Sequence, residues 1–378
     1  MKARWTVALL LAAAVLPCAG LASGQPSPAA PGPSVLTGSV QLLTDLPNAS
    51  GMPDLTTGFL GDLDLSGYSL ASVPGDENWM GIFGPQGIGG TVRAMATDGS
   101  GNLYAGGDFF VAGRVQADNI ARWDGSSWSA LGRGMDGSVR ALAVDDSGNL
   151  YAGGEITIAG GVQASHIARW DGRAWSALGS GLDGTVLALA VDGSGALYAG
   201  GAFQIAGQQQ AKRVARWNGS AWGRLDRGMD DIVNALAVDS GGNLYAGGPF
   251  HNAGGLPARH IARWDGTAWS ALGSVMSGVD YARVDALALD GSANLYAGGY
   301  FVAAGGVLAN HIARWDGSAW NALGSGMSAR VYALAVDGGE SLYAGGQFQR
   351  AGGRASYNIA WWLPLEPRLY LPLAMHHP

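Results

Sequence analysis

VRALAVDDSGNLYAGGEITIAGGVQASHIARWDGRAWSALGSGLDG, residues 139–184, is one copy of a unit that fills most of this chain. Its string Leu-Tyr-Ala-Gly-Gly recurs with Tyr at 104, 151, 198, 245, 296 and 343, at spacings of 47, 47, 47, 51 and 47. A second string, Ile/Val-Ala-Arg-Trp, places Trp at 123, 170, 217, 264 and 315, and an altered copy ends at Trp362. Two independent markers share one period, so the chain is an array of one supersecondary unit. Within the unit, four apolar or aromatic runs read as short strands: a (139–145), b (150–154), c (166–170) and d (174–178). Asp146-Ser-Gly-Asn149 and Asp171-Gly172 join a to b and c to d, and their residues favour tight turns. Nothing alternates helix with strand, which excludes a parallel α/β sheet.

Four strands at a period of 40 to 50 residues predict an all-β fold, a β-propeller with four antiparallel strands per blade. Strands a, b and c occur six times. Strand d follows only the first five units, at Trp128, Trp175, Trp222, Trp269 and Trp320. One orphan d-like run, Asn78-Trp79-Met-Gly-Ile-Phe83, precedes the first unit. Six blades are therefore expected, with this N-terminal outer strand near Trp79 completing the last blade and closing the ring. The expected organisation is 1–24 signal peptide, 25–76 Pro/Ser/Gly-rich linker and N-terminal segment, 77–363 propeller, and 364–378 Pro-rich tail.

The strings LYAGG, IARWDGSAW and LGSGM resemble kelch repeats, and AVDxSGNLYAGG resembles NHL-type repeats. The resemblance covers residues 79 to 362 and implies a propeller. It departs from kelch in placing Trp on strand c and in the five-residue step from Trp123 to Trp128. It fixes no function.

Composition narrows the function. Formal net charge is −7, and no Lys/Arg cluster is present, so a nucleic-acid partner is not expected. Lys2 and Arg4 precede an apolar run of 11 residues, Thr6 to Leu16, too short to span a bilayer. Export by a cleaved signal peptide follows, and with it a secreted or cell-surface location. The single Cys, Cys18, lies in that segment behind Pro17, which argues against a lipid anchor. The mature chain then has no disulfide, thiolate metal site or Cys nucleophile.

Of the 14 Trp, 12 fall at repeat positions, which assigns them to packing between blades. Arg122, Arg169, Arg216, Arg263 and Arg314 precede the strand-c Trp and are expected to bond the following Asp or backbone. His166, His260 and His311 share a slot before strand c, with Asn119, Arg213 and Tyr357 in the other units. Equivalent slots of different blades lie far apart, so no metal and no cofactor are expected. Carboxylates at the mouth, Asp136, Asp183, Asp230 and Asp231, suit acid–base work but also suit solvated loops.

The b–c and d–a connections are the long ones and share a face, so a site is expected there. Positions that differ between units are the candidates: Arg93, Arg140, Asn234, Asp285 and Tyr332 at the start of strand a, and Asp280, Tyr281 and Arg283 in the one d–a loop with a four-residue insertion. The expected function is a monomeric extracellular binding or interaction scaffold with an unspecified protein or carbohydrate ligand. The alternative is a secreted carbohydrate-active hydrolase or lyase with an acidic site at the channel mouth.

Overall fold

The computed structural model of the chain describes residues 87–273, 276–278, 280–337 and 341–362. The expected signal peptide, the expected linker and N-terminal segment, the orphan run at Trp79 and the expected C-terminal tail lie outside the described residues.

Among the described residues there is no helix, and the repeat appears as six antiparallel sheets. In the second sheet, strand a is Val139–Val144, b is Leu150–Gly154, c is Ile167–Trp170 and d is Trp175–Ala177, hydrogen-bonded in that order. The other strands a are Ile88–Thr97, Val186–Val191, Ala235–Val238, Arg283–Leu289 and Val331–Val336. The sixth sheet contains a, b and c.

The core lies between successive sheets. One cluster joins Ala141, Tyr151, Ile167 and Leu178 of the second sheet to Val186, Phe203 and Trp222 of the third. The Gly pair on strand b makes this possible. A Cβ on Gly153 would stand 2.5 Å from Cγ1 of Val186 in the next sheet, and one on Gly154 would stand 2.0 Å from the Ser138 carbonyl oxygen. Removing two side chains lets one sheet approach the next and lets strand a cross close to b.

The d-strand Trp is the second fastening. Its indole Nε1 donates to a Leu carbonyl in the preceding sheet: Trp175 to Leu131 at 2.8 Å, Trp222 to Leu178 at 2.8 Å, Trp269 to Leu225 at 3.1 Å and Trp320 to Leu272 at 2.8 Å. Each of these rings tilts against the strand-c Trp of its own sheet, with Trp170 and Trp175 centroids 5.4 Å apart. Trp175, Trp222, Trp269 and Trp320, expected to pack between units, therefore do so, and their one polar atom is bonded.

The turns are held by Asp. At the a–b turn Asp145 accepts from the Ser147 and Asn149 amides, the Asn149 side chain and the Tyr151 hydroxyl. Burial first, and then the Asp145 charge, pushes the Tyr151 hydroxyl up to about 12. The Asp after the strand-c Trp caps its own c–d turn: Asp171 accepts from the Arg173 and Ala174 amides. The strand-c Arg therefore does not reach it. Arg122, Arg169 and Arg263 bond the turn residues Asn102, Asn149 and Asn243 instead. In the third unit Ala196 stands where that Asn would be, and Arg216 lies over the Tyr198 ring.

Each long b–c connection folds into a small hairpin. Ile158–Ala159 pairs with Val162–Gln163, Ala159 bridges Met135 of the d–a loop, and Gly160 rests against Trp175. Gly160 and Gly161 have φ of 59° and 93°, a region Gly enters without the cost a Cβ would add. The carboxylates expected at the mouth are partly used here. Asp136 accepts from the Thr157 and Ile158 amides, Asp183 from Gln204 and Ile205, and Asp230 from His251 and Asn252.

The sixth sheet differs at its outer edge. Trp361 and Trp362 are 59% and 39% exposed, and a cavity of about 290 Å³ lies against them, bordered by Leu323, Met327 and Gly352. In the other sheets the Gly equivalent to Gly352 touches the d-strand Trp, as Gly305 does Trp320.

If the indole bond fastens neighbouring sheets, Trp175→Phe should cost about 1–2 kcal/mol by orphaning a buried carbonyl. Trp175→Ala should cost about 3–5 kcal/mol by also opening a cavity. Chemical denaturation of the two variants checks both the order and the gap.

Candidate functional site

Strand a carries a bulge at its start. In the second unit Val139 pairs with Gly154 and Ala141 with Gly153, so Arg140 is the extra residue. The same register shift singles out Arg93, Leu187, Asp285 and Tyr332, while the fourth strand a begins just after Asn234. A bulge re-aims the side chain it carries. These six side chains together line one central cavity of about 140 Å³, so strand a of every sheet converges on it.

The cavity's two sides are electrostatically different. Arg93 pairs with Asp108, and Arg140 Nη2 with Glu155 Oε1 at 2.8 Å, each within its own sheet. Across the fourth to sixth units the contacts join sheets. Asp285, with its side chain 7% exposed, accepts two bonds of 2.7 Å from Arg330 and one of 3.2 Å from the Asn234 amide. Arg283 Nε lies 3.5 Å from the same carboxylate, and the Arg330 guanidinium sits 4.5 Å over the Tyr332 ring. A bidentate guanidinium with a second cation nearby fully occupies this carboxylate.

Asp280, Tyr281 and Arg283 lie elsewhere, in a groove of about 480 Å³ between the fourth and fifth units. The Asp285–Arg283 contact links the groove to the central cavity. The groove also takes Asp231, Arg259, His251 and His260, which sequence reading had not joined to the cluster. The signal was partly present: Arg283 and Arg330 occupy one slot of successive units, where Thr91, Ser138, Thr185 and Ile232 stand in the others. For His251 and His260 no spacing pointed to the groove, because the hairpin that brings them together is not visible as a strand pattern.

The His slot before strand c has a backbone explanation. Asn119, His166, Arg213, His260, His311 and Asn358 all have φ between 62° and 73°. The sixth member is thus Asn358 rather than Tyr357. Asn and His are the non-Gly residues that tolerate this region best. Among the described residues, no three His, Cys, Asp or Glu side chains gather closely enough to hold a metal ion. The His260 and His251 rings meet edge to face at 5.3 Å. Burial first, and then the neighbouring His251, holds the His260 imidazole below its ordinary value.

Residues 80–227 match a family model described as the Rax2 C-terminal beta propeller domain, which is less than half of the chain. With the repeated sheets converging on one cavity, this match defines the class: the protein is an all-β propeller. No curated protein matches it. Among solved structures, it is similar to a chain of the mitotic checkpoint complex, at 16% identity and a TM-score of 0.46, covering 72% of this chain and 74% of that one. It is also similar to virginiamycin B lyase from Staphylococcus aureus, at 11% identity and a TM-score of 0.45, covering 72% and 84%. A third is the extracellular domain of a putative one component system from B. thetaiotaomicron, at 12% identity and a TM-score of 0.39, covering 74% and 39%. No helix among the described residues is long and apolar enough to cross a membrane.

The lowered His260 value sets a pH dependence. The folded chain binds this proton less readily than the unfolded chain. Its contribution to stability is therefore complete above about pH 6.5 and falls as pH drops through that value. Asn fits the same backbone, so His260→Asn should lose less melting temperature than wild type between pH 7.5 and 5.5. Equal losses in the two proteins would refute this assignment.

Proposed function

We propose that the protein is a secreted binding scaffold of six kelch-like blades that takes its ligand on the face formed by the d–a loops and the b–c hairpins. One observation carries the reading. Units that are nearly identical elsewhere differ at the bulged start of strand a and in the fifth d–a loop, and those positions meet around one cavity and one groove. A shared framework role would have kept them alike. No convergent set of nucleophile, base and oxyanion donors accompanies them, so the chemistry they offer is recognition rather than turnover.

Export is supported by the basic start and short apolar run at residues 2–16. Ring closure by the segment around Trp79 is supported by arithmetic. Five sheets have a d-strand Trp, the sixth has a cavity and two exposed Trp in the corresponding place, and the sequence has one d-like run to spare.

Presented to printed arrays of glycans and of secreted proteins, residues 25–378 should retain at least one component that an Asp280→Ala, Arg283→Ala double variant loses, while the two proteins melt together. Equal retention by both, or release of a reaction product from the retained component, would count against the scaffold reading.

Closure has its own readout. Trp79→Ala should destabilise the chain by about the 3–5 kcal/mol expected for loss of a buried Trp, and should raise protease sensitivity in residues 341–362. A melting temperature equal to wild type would show that the sixth sheet is completed in another way.

A further inference from the structure

We infer that the groove between the fourth and fifth units binds a neutral, polyhydroxylated ligand, the chemistry of an uncharged oligosaccharide. The inference rests on the binding reading above and names the ligand class for the same site.

Charge balance is the first argument. Asp231 and Asp280 supply two carboxylates, and Arg259 and Arg283 supply two guanidiniums. The formal sum is zero, so the groove has no net field to select a polyanion or a polycation. What it offers is alternating acceptors and donors. Carboxylates accept only and guanidiniums donate only, whereas a sugar hydroxyl does both. A ring of vicinal hydroxyls can satisfy such an alternation without having a charge of its own.

Shape is the second argument. The groove volume of about 480 Å³ falls within the range of small-molecule sites, roughly 300–1,000 Å³. Part of its lining is Asp280 to Arg283, where Tyr281 has 81% of its surface exposed. An aromatic ring held at the lip of a polar groove gives an apolar face for the C–H side of a pyranose, leaving the hydroxyl edge to the charged groups. The imidazoles in the same groove, His251 and His260, add groups that donate at one nitrogen and accept at the other when neutral.

The alternatives fit less well. A phosphate or sulfate ester would meet two carboxylates. An extended peptide binding by strand addition would find in the groove wall only a two-residue edge strand, Met276–Ser277, whose other side is paired with Ala303–Ala304.

Isothermal titration of residues 25–378 with neutral oligosaccharides tests this directly: cello-, xylo-, manno-, malto- and chito-hexaose, with heparin and a mixed decapeptide pool as controls. At least one neutral sugar should bind at one site per chain. Tyr281→Ala should weaken it about tenfold, and Tyr281→Phe less than about threefold, because the ring and not the hydroxyl makes the stack. Asp280→Asn should weaken it while leaving the melting temperature unchanged. Binding of heparin or peptide alone, lost with Asp280→Ala, Arg283→Ala, would overturn the saccharide class and leave the scaffold reading standing. No binding by any sugar would overturn the saccharide class too. The scaffold reading falls separately, if the array components are retained equally with and without the groove residues.

Discussion

The structure hangs on a bond between sheets rather than within them. A three-residue strand d contributes few ladder bonds, yet its leading Trp is buried and its indole N–H is tied to a carbonyl of the preceding sheet. The sequence distance across that bond is 44 residues in three cases and 48 in the fourth. The four extra residues of the fifth d–a loop lie between Leu272 and Trp320, and the bond is unchanged at 2.8 Å. The chain thus absorbs its one insertion in a loop and keeps the fastening. Packing and hydrogen bonding carry this load alone, since the only Cys in the sequence is Cys18.

A fastening so uniform frees the inner edge of each sheet. Strand a is clamped on one side by the Gly pair and across the gap by the next Val, as Gly153 and Val186 show. Between these fixed points the bulge leaves one side chain per unit that the framework does not use. Identity at that position is therefore open, and the chain fills it with Arg, Arg, Leu, Asn, Asp and Tyr. The first two are answered by acids of their own units. Asp285 is answered by Arg330 and Asn234 of its neighbours, so the fourth, fifth and sixth units are cross-linked electrostatically.

Period made the sheets legible. Tyr and Trp at a 47-residue step gave strands b, c and d, and the turn residues gave their joints. Partners at a distance were not legible. Arg122, Arg169 and Arg263 each have an Asp two residues on, but strand c points them sideways to an Asn 20 residues earlier, across the b–c ladder. Likewise three His at equivalent slots looked like potential ligands, whereas the property they share with Asn119 and Asn358 is a left-handed backbone. The b–c connections read as open loops because their hairpin strands are two residues long, below the length at which alternation can be recognised.

The same reasoning explains why the groove lies where it does. In four d–a loops among the described residues, the b–c hairpin that follows closes over the loop through a single bridge, at Met135, Leu182, Met229 and Met327. In the fifth, the longer loop forms two paired residues, Met276 and Ser277, and then departs from the hairpin before strand a begins at Arg283. Gly278 turns there with φ of 95°. The chain leaves the framework at the one point where its length permits, and it places Asp280 and the exposed Tyr281 on that excursion. An insertion serving only as a spacer would not need to put a large aromatic ring in water. The exposed ring, beside a groove of balanced charge, is the feature on which the proposed recognition role of this loop rests.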